Sequence, residues 1–261
     1  MQVQIFQVDA FTDKVFGGNP AAVCPLDSWL PDETLQKIAS ENYVAETAFF
    51  VPTGDSFEIR WFTPEIEMDL CGHATLATAH VISRHLRPQT STLKFNSKSG
   101  ILNVTFHGDL ITLDFPARNP APADVPKIIL DAFPESPVET LQSRDYMLVY
   151  ESEEIIREMK PRQEILDQIN IDPGGVIITA QGNDVDFVSR FFTPQASIFE
   201  DPATGSAHCS LIPYWSTRLR KKDMLALQLS DRVGKLQCKY MGERVMISGN
   251  AVTYMEGKII V

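Results

Sequence analysis

A chain of 261 residues with 44 % hydrophobic and 22 % charged residues has globular composition and enough length to bury a sizeable core without staples. Its formal charge of −11 repels phosphate backbones and anionic lipid, which argues against nucleic acid or a membrane surface as partner. The sequence also has no run of about 18 apolar residues that would span a bilayer.

The opening stretch MQVQIFQVDAF alternates as a strand does. It has neither the basic start nor the apolar middle of a secretion signal, so a cytoplasmic location is expected. The four cysteines, Cys24, Cys71, Cys209 and Cys238, have no tight spacing and are expected as reduced thiols. Pro31-Asp32 opens a helix over 33–43, with Leu35, Ile38 and Ala39 at helical spacing. A strand then ends in FTP at 62–64. The segment TLATAHVISRHL (75–86) predicts a second helix, apolar nearly all round and therefore buried. Residues 92–117 read as a meander with turns at Ser99-Gly100 and Gly108-Asp109. The Pro- and Ala-rich segment 117–127 is the natural crossover between halves. Polar helices are expected near 152–168, then a strand ending in a second FTP at 192–194 and a helix over 206–219. Strands follow over 225–261, with Gly234, Gly242 and Gly249 near the turns.

The phrase FEIRWFTP (57–64) returns as FVSRFFTP (187–194), half a chain later. Each copy continues into an acidic loop, a glycine and a buried helix, with the loop longer in the second copy. An internal duplication is the expectation. Gly72 and Gly205 allow close backbone approach to a ligand. The first N–H groups of each helix lack internal partners and carry the positive end of the helix dipole. Two such ends facing each other across a pseudo-twofold axis would form a cleft for an anion such as a carboxylate. The polar residues at these ends are His73 and Thr75 in one half and Asp201, Thr204 and Ser206 in the other.

Four motifs carry a resemblance. FGGNPAAV (16–23), ETAFF (46–50), RWFTPEIEMDLCGHATLA (60–77) and EDPATGSAHCSL (200–211) resemble the PhzF family of phenazine biosynthesis, which has the diaminopimelate-epimerase-like fold. They stand in the family's order, and the strand-rich tail extends the likeness over essentially the whole chain. The resemblance implies an α+β fold of two pseudo-symmetric domains, each a curled, mostly antiparallel sheet around a central helix. The expected domains are 1–117, together with the terminal strand near 250–261, and 118–250, with the active site in the cleft between them. It further implies a cofactor-independent isomerase that moves a proton on a small carboxylate-bearing substrate. The family's archetype isomerises a dihydro-hydroxyanthranilate. Homodimerisation accords with the family, although no residue pattern in the chain establishes it.

By this resemblance Glu46 is the catalytic acid/base. Its apolar neighbours Val44, Ala45, Phe49 and Phe50 disfavour a charged form, which suits proton transfer. His73 lines the pocket as proton shuttle or hydrogen-bond partner, and Asp201, the third catalytic residue the resemblance implies, holds an amino or hydroxyl group of the substrate and helps move protons. Ser206 and the backbones of Gly72 and Gly205 form the carboxylate cradle. Asn19, before Pro20, reads as mainly structural or pocket-wall, and Asp9 as a polar strand end near the cleft. A two-thiol racemase on the same fold would need a second cysteine where this chain has Thr204, a far weaker base, so Cys71 reads as a small buried residue. His80 and His85 read as packed or exposed helix residues, and no metal is expected because the histidine spacing does not converge on one ion. The absence of a phosphate-cradling glycine loop argues against nucleotide cofactors. The rival readings are an epimerase or racemase on this fold and a non-catalytic binding protein.

Overall fold

In the computed structural model, which describes residues 1–88, 90–171 and 174–261, the chain divides into two units. One comprises Met1–Phe115 with Ile247–Val261, the other Pro116–Met246.

The first unit opens with β1 (Gln2–Ala10), which pairs antiparallel with β2 (Asn19–Pro25). α1 (Asp32–Asn42) buries Leu35, Ile38 and Ala39 and ends at Tyr43 in the left-handed region. It provides the crossover that a parallel pair requires, so β3 (Glu46–Thr53) runs parallel to β2. β4 (Ser56–Phe62) returns antiparallel, and the short β5 (Glu67–Met68) folds back on it. α2 (Gly72–Val81) carries no acidic residue and buries every position from Gly72 to Ala79. It packs against β1, β2 and β3. One π-helical turn, Ile82–Leu86, extends it. β6 (Thr92–Ser97) lies parallel to β4, and β7 (Gly100–His107) and β8 (Leu110–Pro116) complete the expected meander.

The second unit runs through β9 (Ala121–Pro122), α3 (Lys127–Ala132), β10 (Glu139–Gln142) and β11 (Tyr146–Val149). Short helices α4 (Glu153–Glu158) and α5 (Gln163–Leu166) lead to β12 (Val176–Gln181), parallel to β11. β13 (Phe187–Phe192) pairs antiparallel with β12. α6 (Gly205–Leu219) follows, then β14 (Asp223–Gln228), parallel to β13, and β15 (Gly234–Tyr240). β16 (Arg244–Gly249) leads out of the second unit, and β17 (Ala251–Ile260) belongs to the first, where it pairs along the whole of β1. The core under α4 and α5 gathers Ile129, Leu148, Ile156, Val176, Ile178 and Phe192. From α6, Trp215 stacks on Phe187 and donates its indole N–H to Thr179 Oγ1 at 2.9 Å.

The repeated phrase has matching surroundings in both units. Arg60 Nε and Nη2 reach Glu67 at 2.7 and 2.8 Å, and Arg190 reaches Glu200 with the same two distances. Each guanidinium also lies 5.1 Å from the ring two residues on, Phe62 or Phe192.

α2 begins at Gly72, the glycine expected to open it, three residues before the apolar run that starts at Thr75. Its cap residue Cys71 offers no capping hydrogen bond, so the usual polar start signal is absent from the sequence. Among the described residues, no helix is long and apolar enough to cross a membrane.

Candidate active site

In the first unit, three elements converge on His73. Asn19 opens β2, Glu46 opens β3 opposite Ala21 of β2, and His73 is the second residue of α2. Gly18 sets the approach of Asn19. It sits at φ +55°, and a Cβ there would lie 2.0 Å from the Ala10 carbonyl oxygen. His73 Nε2 lies 3.1 Å from Glu46 Oε2, with the histidine side chain 3 % and the glutamate 14 % exposed. Neither atom has another hydrogen-bonding partner among the described residues. On the other side of the ring, the Asn19 amide is 3.1 Å and Cys71 Sγ 3.6 Å from Nδ1. An amide can donate to a neutral ring nitrogen or accept from a charged one, so Asn19 suits either protonation state of His73.

Burial opposes a charge on His73, but the electrostatic interactions and hydrogen bonds with Cys71 and Glu46 outweigh it and hold the imidazolium well above the ordinary 6.5. Burial pushes the Cys71 thiol up to about 11. A thiol protonated at neutral pH supplies no charge there, so Glu46 is the partner that matters. The sign of the linkage follows. The His73 contribution to stability is complete below 6.5, the value of the unfolded chain, and is lost as pH rises through the folded-state value. An NMR titration of the His73 ring nitrogens should find it still protonated above 6.5. Deprotonation at or below 6.5 would refute the ion pair.

The sequence reading did not group Cys71 with Glu46 and His73, yet one donor atom from each lies within 4.8 Å of the others. Thiolate, imidazole and carboxylate form a donor set that suits zinc. Coordination would have to displace protons from the thiol and the ring, whereas proton handling uses the three groups as they stand.

In the second unit, Thr204 caps α6, and Gly205 and Ser206 form its first residues. The Thr204 hydroxyl donates to Asp201 Oδ2. Ser206 Oγ accepts from Arg144 Nη2 at 2.9 Å, and Arg144 is itself paired with the fully buried Asp145. Asp145 Oδ1 in turn accepts the Gly175 N–H at 3.0 Å. Arg144 was not singled out from the sequence, because no local motif marks an arginine 62 residues from the serine it meets.

The remaining candidates have local roles. Asp9 accepts the Phe16 N–H at 2.7 Å and ties down the loop before Gly17. His208 is fully buried with Nδ1 2.8 Å from the Thr204 carbonyl, and burial lowers it to about 4. His80 and His85 both reach Thr253 Oγ1, at 2.9 and 2.8 Å, because the intervening π-helical turn brings positions five apart onto one side.

The sequence pattern of the family described as "Phenazine biosynthesis-like protein" matches residues 8–257. The chain is 48 % identical over 259 residues to an uncharacterized isomerase of Pseudomonas aeruginosa, covering 99 % of each. It is 42 % identical over 266 residues to another uncharacterized isomerase, from Halalkalibacterium halodurans, covering 100 % of this chain and 99 % of the other. The crystal structure of a phenazine biosynthesis protein of the PhzF family from Enterococcus faecalis is similar over all of both chains, with a TM-score of 0.94 and 44 % identity.

Proposed function

The chain belongs to the phenazine biosynthesis-like PhzF family and is an isomerase, and on that premise we propose that it moves a proton on a small carboxylate-bearing substrate with Glu46 as the acid/base. The observation that carries this reading is the buried contact of 3.1 Å between His73 Nε2 and Glu46 Oε2. In this reading Glu46 accepts a proton from carbon while His73 Nε2 faces its carboxyl. Once Glu46 is protonated, it returns the proton elsewhere on the same face of the substrate, and His73 stabilises the charge that develops meanwhile.

Asp201 holds an amino or hydroxyl group of the substrate in this reading. Ser206 and the backbones of Gly72 and Gly205 receive its carboxylate, a role supported by the cationic Arg144 beside Ser206. A racemase with Cys71 as base is disfavoured by the protonated, buried thiol. The matched pairs Arg60–Glu67 and Arg190–Glu200 support an origin of the two units by internal duplication. Four buried free thiols are in keeping with a reducing cytoplasm.

The test is proton exchange in heavy water with a dihydro-hydroxyanthranilate and a panel of unsaturated and amino carboxylic acids, followed by NMR. The proposal expects deuterium on an activated carbon together with a change in isomer ratio. Exchange confined to an amino-acid α-carbon would point to Cys71 and an epimerase instead.

A further inference from the structure

The loop Asp201–Thr204 is cast against β14 and β15. Gln228 is 1 % exposed, and its amide is saturated by this loop. Its Oε1 accepts the Thr204 N–H at 2.7 Å. Its Nε2 donates to the Asp201 carbonyl at 2.7 Å and to Thr204 Oγ1 at 3.1 Å. Ser230 Oγ donates to the Pro202 carbonyl at 2.9 Å. Ala203 is pressed so closely on Gly234 that a Cβ there would lie 2.5 Å from the alanine methyl.

Thr204 Oγ1 accepts from Gln228 Nε2 and donates its one proton to Asp201 Oδ2. A donor aimed at a carboxylate favours the ionised form. We propose that Thr204 and Gln228 are positioning residues that hold Asp201 as an oriented carboxylate acceptor, so that the substrate must offer Asp201 a hydrogen-bond donor, an amino or hydroxyl group, and receives no proton from it. This rests on the reading of Asp201 as a substrate-binding residue. It gives Thr204, which stands where a two-thiol racemase has its second base, a different task.

The experiment is a carbon-13 NMR titration of the Asp201 side-chain carboxyl in the full chain, which needs no substrate. In Thr204→Val the midpoint should move to higher pH, and in Thr204→Ser, which keeps the hydroxyl, it should stay at the wild-type position. Gln228→Met, which frees the hydroxyl to turn away, should move it in the same direction as Thr204→Val and gives a second route should the valine variant fold poorly. A midpoint unmoved in folded Thr204→Val or Gln228→Met overturns the inference. So does a serine variant that shifts as far as the valine one, since that would make the effect one of packing. Proton exchange that survives loss of Glu46 would sink the functional reading and leave this titration unchanged.

Discussion

Glu46→Gln is expected to lower carbon-proton exchange by about 10²-fold or more, within the range that a positioned general base contributes. The amide keeps the shape of the carboxyl and can still face His73 Nε2, but it cannot take a proton from carbon. Two effects combine. The base is lost, and His73 loses the negative charge that offsets its burial, because Cys71 holds its proton up to about 11 and cannot take over. The imidazolium should therefore give up its proton at lower pH in the variant than in the wild type. Exchange measured by deuterium incorporation checks the first effect, and the ring-nitrogen titration checks the second. Glutamine matches glutamate in size and fills the same largely buried space, so folding should survive the change. A variant that exchanges at the wild-type rate would remove Glu46 from the mechanism.

Arg190→Ala should lower unfolding stability by about 3 kcal/mol, the scale on which removing one partner of a buried ion pair acts. Arg190 is 13 % exposed and Glu200 23 %. Besides the two-pronged contact with Glu200, the guanidinium donates to the Ile156 and Met159 carbonyls at 3.2 and 2.7 Å. Truncation leaves one carboxylate and two carbonyls without that donor. Arg190→Lys retains the charge but not the planar fork, so its loss should be smaller yet measurable. An exposed pair gives the contrast. Lys37 and Glu33 are 74 % and 79 % exposed, and Lys37→Ala should stay within about 0.5 kcal/mol of wild type. Urea unfolding reads all three. Glu200 adjoins Asp201, so Arg190→Ala should also loosen the loop that Gln228 holds, visible as faster amide exchange at Thr204. An alanine variant as stable as wild type would mean that water replaces the guanidinium.

The sequence by itself determined the parts that depend on local pattern. Period-2 and helical spacing marked the strands of the meander, the buried α2 and the helix after Gly205, because each records how a short segment meets a core. The two FTP phrases marked two comparable units. Family motifs supplied Glu46, His73, Asp201 and Ser206 as residues to examine. Only the tertiary structure decided which side chains touch. The Asn-Pro step marks Asn19 as a turn or pocket-wall residue without naming its partner, and its amide meets the His73 ring 54 positions away. Cys71 joins Glu46 and His73 in one cluster, and Arg144 meets Ser206. Gln228 carries no motif at all, and it holds the Asp201 loop because β14 pairs in parallel with β13, putting Gln228 opposite Ser189. The π-helical turn that joins His80 to His85 was hidden for a related reason, since no proline announces it. Strand pairing and register link residues that are remote along the chain. The alternation of a strand states which face is buried, and it does not state against which partner.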